Sequence, residues 1–162
     1  MRYVVAVGAL ALLACTQSTQ PEGVAERLTL QALRSTPGFA WFEAEFQAYQ
    51  PDSALVQQIR AAYVPGQHRF YAYVEPTCSC VGTQKLFPRF LRILHAAGVP
   101  EGECEIYAMH TAADRHPHQH WLHIQTLPSF FITRGQEILG SIAGGLPPGK
   151  TLEQVILEAL RR

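Results

Sequence analysis

Apolar and polar positions along the chain follow two different patterns, with a change near residue 69. Residues 24–66 read as helical. Phe39, Phe42, Phe46 and Tyr49 recur at steps of three and four, which places them on one helix face. The alternation of Ala40, Phe42, Ala44 and Phe46 would also allow a strand. Pro51 and Asp52 break the pattern, and Asp52 or Ser53 can cap a second helix whose face holds Leu55, Val56, Ile59 and Tyr63. Pro65-Gly66 ends it. Beyond this point short aromatic and β-branched runs alternate with helical stripes. Phe70 to Val74 predicts a strand. Leu86, Phe90, Ile93, Leu94 and Ala97 predict a helix stopped at Gly98. Ile106 to Met109, starting near Cys104, and Phe130 to Thr133 predict two more strands. Arg134 to Glu137 turns the latter into a fourth, Ile138 to Ile142. Thr151-Leu152-Glu153-Gln154 is a capping box, and Leu152, Val155, Ile156, Ala159 and Leu160 share one face of the helix after it.

The strand–helix–strand unit demands parallel pairing, and the tight hairpin demands antiparallel pairing. An α/β fold follows, with a mixed sheet flanked by helices on both faces and a helical extension in front. The aromatic cluster from Phe39 to Tyr49 reads as packing rather than as a partner surface.

Ahead of these elements the pattern differs again. Arg2 is followed by an uncharged, mostly apolar run from Tyr3 to Ala14, and then by the polar stretch Thr16 to Gly23. The run falls well short of the roughly 20 residues that cross a bilayer, and it has the length of a signal-peptide core. The polar stretch has the composition of a flexible spacer. Four segments result: a signal at 1–14, a cysteine and spacer at 15–23, the extension at 24–68, and the mixed-sheet domain at 69–162.

Composition narrows the function classes. The 162 residues contain 13 basic and 13 acidic groups, so the formal charge is zero, and 48% of the chain is hydrophobic. A nucleic-acid binder would need a basic stripe, and wholesale disorder would need fewer apolar residues. A neutral chain with only 16% charged residues is also poorly protected against association, a liability that a tether relieves.

Leu12-Leu13-Ala14-Cys15 resembles the bacterial lipobox. The resemblance implies cleavage before Cys15 and attachment of fatty acyl chains such as palmitate there. Several buried chains hold a protein on a membrane, because each methylene contributes about 0.8 kcal/mol. Thr16, which is not Asp, implies sorting to the outer membrane with the protein facing the periplasm. The other reading is an ordinary signal peptide with a chance cysteine.

Residues 69–162 resemble the thioredoxin fold family. Cys78-Ser79-Cys80 lies between the first strand and the first helix, where that family keeps its reactive cysteines. Leu127-Pro128-Ser129-Phe130-Phe131 looks like its loop with a cis-proline and the strand that follows. The closing hairpin and helix also match. Two alignments are open. One places Cys78 in the family's first-cysteine position. The other uses Pro88, eight residues after Cys80, and reads Cys80-Val81-Gly82-Thr83 as the site with Cys78 upstream.

A cysteine at a helix N-terminus faces unpaired N–H groups and the positive end of the helix dipole, which stabilise thiolate. On the second alignment Cys80 attacks a substrate disulfide, Cys78 resolves the mixed disulfide, and Pro128 holds its loop beside the sulfur. The expected partners are protein thiols or disulfides, with no cofactor and no nucleic acid. A permanent structural bridge at Cys78 and Cys80 is the bland alternative. Cys104 starts a strand parallel to the one that leads into the site, so it should lie about 17 Å away as a buried or partly buried free thiol.

His110, His116, His118, His120 and His123 crowd the segment before Pro128. They read as a solvated polar loop anchored by Trp121, Leu122 and Ile124. The rival reading is a copper protein in which Cys78, Cys80 and His123 bind Cu(I), since two thiolates and an imidazole suit that ion. It is similar to the Sco-type copper chaperones, which use a thioredoxin fold, two cysteines and a loop histidine. A third reading is a thioredoxin-fold lipoprotein without catalytic activity.

Overall fold

The computed structural model describes residues 23–77 and 80–162. The signal segment, Cys15, most of the spacer, Cys78 and Ser79 lie outside the described residues. The chain is α/β, with a thioredoxin-like mixed sheet flanked by helices. The sheet has five strands in the order β1-β3-β2-β4-β5: β1 (Glu26–Leu28), β2 (His68–Val74), β3 (Cys104–Ala108), β4 (Ser129–Arg134) and β5 (Glu137–Ala143). As the connections require, β2 and β3 are parallel, while β2–β4 and β4–β5 are antiparallel.

Local chemistry explains most of the element ends. In front of α3 (Ser53–Ala62), Asp52 Oδ1 accepts from the backbone N–H groups of Ala54 and Leu55, both at 2.9 Å. Gly98, with φ 81°, closes α4 (Phe87–Ala97) in the left-handed conformation that glycine adopts without steric cost. The capping box at Thr151 opens α5 (Leu152–Leu160), with both of its hydrogen bonds made.

The expectation for residues 24–66 needs one correction. Besides α1 (Leu30–Ser35), α2 (Phe42–Ala48) and α3, this region supplies β1, which pairs antiparallel with β3 at the sheet edge. Three residues with one apolar side chain leave no readable alternation, and the pairing partner lies some 80 residues later. The choice between helix and strand at 39–49 falls to helix, and Phe39, Phe42 and Phe46 are buried as packing residues. The extension is also bound into the same core. Tyr49 donates its phenolic hydrogen to buried Glu153 at 2.5 Å, which ties the end of α2 to α5.

A second correction concerns the layers. Among the described residues all five α-helices bury their apolar sides in one cluster, against Phe70, Ala72, Val74, Ile106, Phe130 and Ile132 of the sheet. Phe90 stacks on Phe130 with ring centroids 4.8 Å apart. The opposite face presents Tyr71, Tyr73, Tyr107 and Phe131, and it is covered by Met109, Trp121, Leu122, Ile124 and Leu127. The histidine-rich segment thus does the covering that a helix was expected to do. It has no apolar stripe at helical spacing, so it covers the sheet with single anchors instead.

Candidate active site

One end of the sheet gathers Cys80 and Pro128. A single rung crosses all five strands there: Arg27, Tyr107, Tyr73, Ser129 and Ala143. Just beyond it lie the loop after β2, the Pro128 loop before β4, and the turn after β5.

Cys80 stands at the head of a helical run from Val81 to Ala97. Its carbonyl accepts from Gln84 N–H at 3.0 Å, the first helical hydrogen bond, so Cys80 occupies the N-cap position. The run begins earlier than the apolar stripe suggested, as a π turn over Gly82–Leu86. Pro88 sits in the first turn of α4 and has no N–H to give the preceding turn, which accounts for the local widening. Cys80 is half-buried and held in a disulfide. The Thr83 hydroxyl, fully buried, lies 3.2 Å from Cys80 Sγ and can donate to that sulfur. Val81, next to Cys80, is 75% exposed.

Pro128 is buried, and the Leu127–Pro128 peptide bond is cis, as expected from the resemblance. Its carbonyl accepts from Gly144 N–H at 2.8 Å. Both loops press on the first turn of the helix at Gly82. A Cβ there would come within 2.8 Å of Gly144 O and 3.1 Å of Pro128 Cδ. Glycine at 82 therefore lets the cis-proline loop approach the helix that begins at Cys80. Sequence reading named Val81 and Gly82 only as the middle of the Cys80–Thr83 motif and did not mark Gly144, because nothing in the local pattern shows which backbone meets which. Cys80, Thr83 and Pro128 are brought to this end, whereas Cys78 lies outside the described residues.

Cys104 pairs with Phe70 while Val74 pairs with Ala108, so Cys104 is at the far end of the sheet. It is a free thiol lining an apolar cavity of about 290 Å³ beside Leu28, Leu91 and Leu94. Burial pushes its pKa up to about 12.

The five histidines divide into two groups. His110, His120 and His123 are exposed. His116 and His118 correct the expectation of a wholly solvated loop, because they pack on the tyrosine face. The His116 ring lies 4.9 Å from Tyr73, and its Nδ1 is buried without a hydrogen-bond partner. His118 Nδ1 lies 2.9 Å from Tyr73 Oη, and its ring is 4.7 Å from Tyr71. Burial lowers the pKa of both; the neighbouring histidines add to this at His116, whereas at His118 the Glu105 carboxylate opposes it without reversing it. His118 Nε2 also approaches Glu105 at 3.8 Å. Burial pushes the Glu105 carboxyl up, but hydrogen bonds from Tyr107 and Arg69 outweigh it and hold the group below its ordinary range. Trp121, Leu122 and Ile124 anchor the segment as expected. Among the described residues no group of three or more His, Cys, Asp or Glu side chains is arranged to hold a metal ion.

No protein family, curated protein or solved structure matches this chain.

Proposed function

We propose that the protein is a lipid-anchored thiol–disulfide oxidoreductase of the cell envelope, in which Cys80 is the attacking sulfur and Cys78 the resolving one. The observation that carries this reading is the setting of Cys80. Its sulfur sits at the N-cap of a long helical run, with the buried Thr83 hydroxyl 3.2 Å away. The Pro128 loop is seated on the same helical turn through Gly82. Unpaired N–H groups, the helix dipole and a hydroxyl donor all favour thiolate over thiol.

In the reduced protein, Cys80 thiolate attacks one sulfur of a substrate disulfide. A new S–S bond forms, and the other substrate sulfur leaves as a thiol after taking a proton. Cys78 then attacks Cys80 of the mixed disulfide, which releases the second substrate thiol and leaves the Cys78–Cys80 disulfide. Two electrons pass from the protein dithiol to the substrate. The lipobox-like Leu12 to Cys15 supports the anchor, and Thr16 in place of Asp supports the outer-membrane, periplasm-facing location. The test is insulin reduction by the chain with dithiothreitol as electron source. Cys80→Ser should abolish the rate above background, and an unchanged rate would remove Cys80 from the mechanism.

A further inference from the structure

The place where the chain joins the fold bears on what the site meets. Val24 bridges to Arg115, and the next strand residues form the rung Glu26–Ala108–Val74. The described chain therefore begins at the same end of the sheet from which β2 leads, six residues after Val74, into Cys80. On that rung β1 and β2 are two strand spacings apart, about 10 Å. The C-terminus is at the other end. Arg162 lines a cleft with Ile138 and Leu139, at the start of β5. The length of β2, seven residues, puts these two ends about 23 Å apart.

We propose that the site acts on a disulfide or dithiol held at the membrane surface. The tether leaves from the sheet end that bears Cys80, and so keeps that end against the bilayer. This rests on the redox reading and on a lipid at Cys15. The eight residues from Cys15 to Glu22 reach at most about 29 Å fully extended, so Cys80 cannot range far from the lipid surface. A partner of this chemistry is a cysteine pair in a short membrane-proximal loop of an envelope protein. Val81, exposed beside Cys80, gives such a loop an apolar contact.

The test compares two tethers on the mature chain in vesicles. One is the natural lipid at Cys15. The other is Cys15→Ser with a thioether-lipidated cysteine appended after Arg162. Both are reduced with dithiothreitol and freed of it. The vesicles carry a pyridyl disulfide on a lipid headgroup. Attack by Cys80 releases pyridine-2-thione, and Cys78 then displaces the lipid thiol, so each turnover oxidises one dithiol and reduces one disulfide. A soluble pyridyl disulfide is the reference.

The natural tether should consume the lipid-borne disulfide at least ten-fold faster than the C-terminal tether, with equal rates on the soluble one. The gain comes from effective concentration alone. Equal rates on the lipid-borne disulfide, with equal soluble rates, overturn the proposal and leave the redox site standing. A soluble rate no higher than that of Cys80→Ser removes the redox site and the proposal together. Absence of acyl mass on Cys15 in the purified mature chain removes the anchor and also overturns it.

Discussion

Gly82→Ala tests the arrangement of the site through the backbone rather than the cysteines. By local rules the change should help. Gly82 has a helical backbone without positive φ, and replacing glycine by alanine within a helix contributes about 1 kcal/mol of stability. The tertiary setting reverses the sign. The added methyl would meet Gly144 O at 2.8 Å and Pro128 Cδ at 3.1 Å, a carbonyl and a ring that have no flexible end to swing away. Gly144 is further tied to Pro128 by the 2.8 Å hydrogen bond between them. Relief requires the loop to lift off the helix by a few tenths of an ångström. Overpacking costs about 1–3 kcal/mol, and two rigid contacts place this case in the upper part of that range, about 2–3 kcal/mol, so a net loss of about 1–2 kcal/mol remains after the helical gain. For a chain of this size that is a fall of about 2–8 °C in Tm. Thermal unfolding followed by circular dichroism reads it, and insulin reduction should fall with it because the Pro128 loop has moved from the sulfur. Gly102→Ala is the control. A Cβ there meets nothing within 4 Å, so its Tm should hold or rise slightly. A Gly82→Ala protein as stable and as active as the parent would refute the close packing of the Pro128 loop on the helix.

Stability should fall on mild acidification. His68, His116 and His118 all have pKa values lowered in the fold, chiefly by burial. The unfolded chain therefore takes up protons first. The stability these groups contribute is present above their ordinary pKa near 6.5 and is lost as pH falls through that value toward the folded ones. Urea midpoints at pH 7.5 and 5.5 check this, and a midpoint that is flat or rises at pH 5.5 contradicts it. Thr83→Val keeps the shape of the buried side chain and removes the hydroxyl from Cys80 Sγ, so the Cys80 thiol pKa should rise by about one unit, read from the pH dependence of alkylation of the reduced protein. An unmoved midpoint shows that the hydroxyl does not act on the sulfur. Cys104, with its pKa pushed up to about 12, should resist a thiol reagent at pH 8 in the folded protein and react at once in urea. Rapid labelling of the native chain at Cys104 would show that the cavity beside it is open to the reagent.

Short-range patterns determined much of this protein without a structure. The elements from residue 69 onward, the Asp52 and Thr151 caps, the stop at Gly98 and the parallel and antiparallel pairings all follow from periodicity, capping chemistry and connection length. These act over a few residues, so they can be read from a few residues. Cys80 could likewise be marked in advance by its place between a strand and a helix, and Pro128 by the resemblance of its loop to that of the thioredoxin family.

Tertiary structure decided what depends on distant segments meeting. Strand β1 exists because Glu26–Leu28 find β3, and its own three residues carry no signal. The five α-helices among the described residues share one face of the sheet, and His116, His118 and Leu122 pack on the other. The need for glycine at 82 comes from a carbonyl sixty-two residues later in the chain. Local propensity states what a segment favours by itself. Which backbone presses on it, which sulfur a hydroxyl reaches and at which end of the sheet Val24 enters the fold are set only when the whole core is packed.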